Sequence, residues 1–151
     1  MKKIIDVVIE WLTEDEWKFD NPNENLVVAG VKGENGNFRM FFSSDEEQHL
    51  FRLVLIPGFS IPENKRMEIA EFVTRANYGI QVGKFELDFD DGEVRYSAGL
   101  DLGGDCELTT GMVRAIMGRC ASTLDRYTPG FMRVLYAGLT PKEAIEEIEE
   151  G

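Results

Sequence analysis

Apolar positions recur along this chain with two periods, near 3.6 and 2, and the changes of period divide it into elements. The clearest stretch runs from Ser60 to Leu102. Ile69, Phe72, Val73 and Ala76 stand at i, i+3, i+4 and i+7, the stripe of a helix packed on one side. Ser60-Ile61-Pro62-Glu63 has capping-box spacing with proline in the first turn, so a helix is predicted from Ser60 to Gly79, the glycine closing it in a left-handed conformation. The period then falls to 2. Phe85, Leu87 and Phe89 alternate with Lys84, Glu86 and Asp88, and Val94, Tyr96, Ala98, Leu100 and Leu102 alternate with Glu93, Arg95, Ser97, Gly99 and Asp101. Such alternation buries one face and wets the other. A two-residue Asp91-Gly92 turn sets Phe89 opposite Val94, Leu87 opposite Tyr96 and Asp88 opposite Arg95, with Phe85, Leu87, Phe89, Val94 and Tyr96 buried together.

Upstream, Ile4, Ile5, Val8, Trp11 and Leu12 have helical spacing, with Asp6, Glu10 and Glu14 opposite. The acidic tract Glu14-Asp15-Glu16 ends that helix, because negative charge is disfavoured at a helix C-terminus. Trp17 and Phe19 open a strand that the polar stretch Asp20–Asn25 breaks. Leu26 to Lys32 and Phe38 to Ser43 read as a hairpin around Asn35-Gly36, with Val27, Ala29 and Val31 sharing a face with Phe38, Met40 and Phe42. A third strand, His49 to Ile56, ends at Pro57-Gly58. These strands are apolar on both sides: the second face carries Leu26, Val28, Phe41, Leu50, Val54 and Ile56 beside Lys32 and Arg39.

Downstream, Thr109 or Thr110 caps a helix whose stripe is Val113, Ile116, Met117, Cys120, Leu124 and Tyr127, and Gly118 within it points to close approach of a neighbour. Thr128-Pro129 restarts a short helix with Phe131, Val134 and Leu135, closed by Gly138. Thr140-Pro141-Lys142-Glu143 is a second capping box, and its helix frays at Glu149-Glu150. The pattern is α+β, an antiparallel sheet in the order α-β-β-β-α-β-β-α with extra short C-terminal helices, in a single domain over residues 1–151.

Charge narrows the function. With 28 acids against 16 bases the net charge is −12, which works against nucleic acid and anionic membrane surfaces and leaves room for a protein partner. No run of about 18 apolar residues exists, and Asp6 and Glu10 interrupt the apolar core that a signal peptide needs. Cys106 and Cys120 lack disulfide-scaffold density and C-x-x-C spacing, so they read as free thiols in a cytoplasmic protein.

Candidate chemistry is sparse. Asp88 to Glu93 suggests a calcium loop, but the glycine falls one place early and Gly99 stands where a bidentate Glu is required. His49, read as a strand residue, has no nucleophile at motif spacing. Cys106 lies beside Asp105 and Glu107, which do not activate a thiol, and Cys120 lies on a core stripe. Gly30-x-x-Gly33-x-x-Gly36 is followed by no helix and is not a phosphate loop. No catalytic residues, metal site or cofactor are expected, and Asn35, Gly36, Asp91 and Gly92 read as structural turns.

Ala76-Asn77, Gly83-Lys84-Phe85-Glu86-Leu87-Asp88, Asp91-Gly92-Glu93-Val94-Arg95-Tyr96 and Leu100-Asp101-Leu102 carry a resemblance. Tyr127-x-Pro129 and Gly138-Leu139-Thr140-Pro141-x-Glu143-Ala144 extend it. With the element order, these residues resemble the YbjN family. The resemblance implies the fold of class I type III secretion chaperones, which are small, acidic and usually dimeric. It brings no catalytic residues, and the family is loosely described as sensory-transduction or stress regulators. The expectation is a non-enzymatic chaperone-like or regulatory homodimer that binds a protein partner, the alternative being a small-molecule sensor with its ligand between sheet and helices. Val28, Phe41, Leu50, Val54 and Ile56 form the expected partner or dimer surface unless the first helix, Ile4 to Leu12, covers them.

Overall fold

A computed structural model describes residues 2–151. The elements are α1 (Ile4–Glu14), β1 (Phe19–Asn23), β2 (Leu26–Lys32), β3 (Asn37–Asp45), β4 (Leu50–Pro57), α2 (Arg66–Asn77), β5 (Lys84–Leu87), β6 (Val94–Asp101), α3 (Thr110–Tyr136) and α4 (Pro141–Glu150). The strands make one antiparallel sheet in the order β1-β2-β3-β4-β6-β5. The fold is α+β as expected, but the element order is corrected twice. A fourth strand precedes α2, and one long helix replaces the first two of the three expected after β6.

The extra strand is β1, formed by the polar stretch expected to break it. It is an edge strand, where Pro22 is tolerated, and the Asn21 amide holds it by donating to the carbonyls of Asn23 and Leu26. The long helix is α3, which runs through Pro129 without restarting. Proline cannot donate to the carbonyl four residues earlier. That carbonyl, on Asp125, accepts instead from the Asn35 side-chain amide at 3.0 Å. The Asp125 carboxylate also accepts from the backbone amides of Glu34 and Asn35, so the β2–β3 loop, Gly33–Gly36, is fastened to α3 where the helix is weakest. This loop is wider than a two-residue turn, with Lys32 opposite Asn37 and Val31 opposite Phe38, yet the expected faces survive because the slip is even.

The β5–β6 hairpin is also two residues out of the expected register. Leu87 pairs with Val94, Glu86 with Arg95 and Phe85 with Tyr96. Phe89 is therefore not buried but 52% exposed, in a loop over Asp88–Glu93 where the Asp88 and Asp91 carboxylates accept from the amides of Asp90 and Glu93. A neighbouring segment widens this loop: Ile61 N–H donates to the Gly92 carbonyl, Ser60 pairs with Glu93, and Arg66 donates to the carbonyls of Ile61 and Phe89. Because Ser60 and Ile61 are engaged there, α2 does not start at Ser60. A single 3-10 turn, Glu63–Lys65, leads into the helix at Arg66, and the expected capping box is absent. Thr109 and Thr140 do cap α3 and α4 as expected.

All four helices lie on one side of the sheet. Ile69, Phe72, Val73 and Ala76 of α2 are buried with Val113, Cys120, Leu124 and Phe131 of α3, against Met40, Phe42, Leu53, Leu55 and Tyr96 of the strands. The α1 helix joins the same side, with Trp11 6.3 Å from the Phe42 ring, so it does not cover the second face. Its first amides, Ile4 and Ile5, donate to the carboxylate of Glu46 in the β3–β4 turn. Burial pushes that carboxyl up, but the Ser44 hydroxyl, these two amides and Lys3 together hold it below its ordinary value. The glycine at a close approach is Gly130, not Gly118. A Cβ on Gly130 would lie 2.4 Å from the end of Ile148 and 2.6 Å from the Phe72 ring, whereas one on Gly118 would meet nothing within 4 Å. Nor does α4 fray at Glu149, whose carboxylate accepts from the Tyr127 hydroxyl at 2.7 Å.

The β5 edge is closed by a side chain. Asn77, the last residue of α2, accepts from the Phe85 amide at 2.8 Å and donates to the Phe85 carbonyl at 3.0 Å. One carboxamide thus makes both hydrogen bonds that a further strand would make to that residue.

Candidate functional site

Strand parity places the side chains of the second face. Across all six strands runs the row Asp20, Val28, Phe41, Val54, Ser97 and Lys84, each paired with the next. Beside it Arg39 pairs with Ile56, and Glu86 with Arg95. Val28, Phe41 and Ile56 are half-buried, and Val54 is 8% exposed, yet none of the four belongs to the core shared with the helices. They are sheltered from within the sheet; the Arg39 guanidinium, for one, lies 5.0 Å over the Phe41 ring.

Glu86 is the polar centre of this face. Its Oε1 accepts from Arg95 Nε at 3.0 Å and from the Ser97 hydroxyl at 2.8 Å, and lies 3.6 Å from Arg52. Burial raises the Glu86 carboxyl, but Ser97, Arg95, Lys84 and Arg52 outweigh it and hold the group below its ordinary value. So three cations, Arg52, Lys84 and Arg95, gather around one acid in a chain whose net charge is −12, while Arg39 lies over Phe41 two strands away from β6. Acids return at the margins, in Asp20 at the β1 edge and in Asp45 and Asp101, which flank Leu50.

Of the expected surface residues, Val28, Phe41 and Val54 meet in one row with Ile56 adjoining, while Leu50 stands apart between its two acids. The charged half of the face did not enter the expected set. It required knowing that β6 lies beside β4, a pairing across a crossover that hydropathy does not encode. The expected turn residues make hydrogen bonds within the fold: Asn35 binds Asp125, Gly36 accepts from the Gly33 amide, and Gly92 donates to the Asp88 carbonyl. His49 is corrected from strand to turn, exposed at φ +58°. It shares a cavity of 200 Å³ with Cys106, Lys3 and Glu46, but no hydrogen bond joins His49 to Cys106 among the described residues. Cys120 is buried, and burial pushes its thiol up to about 11, which disfavours the thiolate. No helix among the described residues is long and apolar enough to cross a membrane.

This arrangement of strands and helices has known counterparts. The crystal structure of YbjN, described as "a putative transcription regulator from E. coli", superposes with a TM-score of 0.62 at 11% identity, over 80% of this chain and 85% of that one. The HopA1-SchA chaperone-effector complex contains a chain similar at a TM-score of 0.47 and 15% identity, over 78% of this chain and 87% of that one. No curated protein sequence matches. The family model YbjN, described as "Putative bacterial sensory transduction regulator", matches residues 5–133, and on that match this chain belongs to the YbjN family.

Proposed function

We propose that this chain is a non-enzymatic regulatory protein that acts through protein contact, and that the first occupant of its open sheet face is a second copy of itself. The observation that carries the reading is the row across the six strands. It runs from an acid, Asp20, through Val28, Phe41 and Val54 to Ser97 and a base, Lys84. A two-fold axis between two such faces, parallel to the strands, reverses the row. It sets Asp20 of one copy toward Lys84 of the other while the apolar residues meet in the middle, the self-complementarity a two-fold interface needs. The helices all lie on the other side, so none of the described helices competes for this face. A binding protein also fits the sensory-transduction description of the family.

Sedimentation and light scattering test the proposal. The expected result is twice the mass of one chain for the wild type. The Phe41→Glu, Val54→Glu double variant should give the mass of one chain with its circular dichroism unchanged. Asp20→Lys and Lys84→Asp should each weaken the dimer, and together restore it. A wild type with the mass of one chain, or a double variant that still dimerises, overturns the reading.

A further inference from the structure

One glycine of α3 has no packing reason to be there. Glycine weakens a helix interior, and Gly130 is explained by the side chains that crowd it, but Gly118 faces space. That space is a groove of 670 Å³ between the outer side of α3 and the segment joining α2 to β5. Its volume lies within the range of small-molecule clefts, roughly 300–1,000 Å³. The far wall is held rigidly, since the buried Tyr96 hydroxyl donates to the Val82 carbonyl at 2.6 Å.

The lining is cationic in an acidic protein. Arg119, Ser122 and Arg126 follow Gly118 at i+1, i+4 and i+8 and face the groove with it. Neither arginine takes part in an ion pair among the described residues. Arg126 is held at the wall over the Tyr127 ring, 5.4 Å from its centroid. The groove's carboxylate, Glu149, is already engaged by the Tyr127 hydroxyl. At the mouth stands Tyr78, 90% exposed, a flat ring with almost no cover of its own.

We infer that this groove binds a small organic anion that joins a planar ring to a polyphosphate chain, a nucleoside polyphosphate in charge and size. The two arginines are about 10 Å apart along the helix at 1.5 Å per residue, too far for one phosphate group and suited to a chain of them. Guanidinium groups take phosphate oxygens in pairs, Tyr78 offers a face on which a base can stack, and Gly118 keeps the floor clear. The groove is lined by loop and helix residues and by none of the open-face row, so its failure and that of the dimer are separate events.

Calorimetric titration of the full chain with ATP, adenosine and inorganic triphosphate tests this. ATP should bind at least tenfold more tightly than either fragment and should raise the thermal midpoint. The Arg119→Gln, Arg126→Gln double variant should lose at least tenfold in ATP affinity. Gly118→Leu should lose as much while unfolding at the same or a higher temperature than the wild type, because a Cβ there meets no protein atom within 4 Å and glycine weakens the helix. No binding of ATP, wild-type affinity in both variants, or triphosphate binding as tightly as ATP overturns the inference.

Discussion

Leu53 and Val54 are neighbours on β4, both well buried, and they owe their burial to different causes. Leu53 is enclosed by a second layer, the helices. Val54 is sheltered by its own sheet, between Phe41 and Ser97 in its row and among the long side chains around Glu86. The comparison of the two faces shows that low exposure does not establish that a residue is covered. Lateral shelter, such as that of Phe41 by Arg39, lowers the exposure of an apolar stripe without a second layer over it.

The sharpest way to break this comparison is to truncate each neighbour. Leu53→Ala should cost about 2–5 kcal/mol in urea denaturation, as a cavity in a two-layer core does. Val54→Ala should cost about 1 kcal/mol or less, since only lateral contacts are lost. Equal midpoints would show that the faces are not different. A smaller effect is expected at Glu86. Its folded pKa lies below the ordinary 4.5, so its stabilisation is present above that value and is lost as pH falls below it. Glu86→Gln should therefore cost about 1–2 kcal/mol at neutral pH, and the gap to the wild type should close in acid below pH 4.5. A gap independent of pH would remove Glu86 from the centre of the face. Smallest of all is Phe89→Ala, in a loop on neither face, which should stay within about 0.5 kcal/mol of the wild type. A cost of core size would restore the register in which Phe89 packs opposite Val94.

Much of the architecture was legible from pattern alone. The end of α1, the buried stripe of α2, the caps at Thr109 and Thr140 and the faces of the β2–β3 hairpin follow from periodicity and local chemistry. Most of the misses share one cause, a distant partner that overrides a local signal. Pro129 reads as a break until Asn35 satisfies the carbonyl of Asp125. Ser60 reads as a cap until Glu93 pairs with it. Asp91-Gly92 reads as a tight turn until Ile61 and Arg66 hold it open. Gly118 reads as a packing glycine until its empty surroundings are seen. The candidate surface was half legible for the same reason. Its apolar residues lie on contiguous strands, and its charges arrive from across the crossover.

The carboxamide of Asn77 bears on how far such a sheet can grow. An edge strand is an open invitation to another strand, and repeated acceptance leads to fibres of indefinite length. Here β5 is only four residues long, and the amide and carbonyl of its Phe85 are both already taken by Asn77. At the opposite edge the irregular β1 carries Pro22, which has no amide to offer. Both edges therefore offer an incoming strand fewer free backbone groups than a plain edge does, while the open face is not affected.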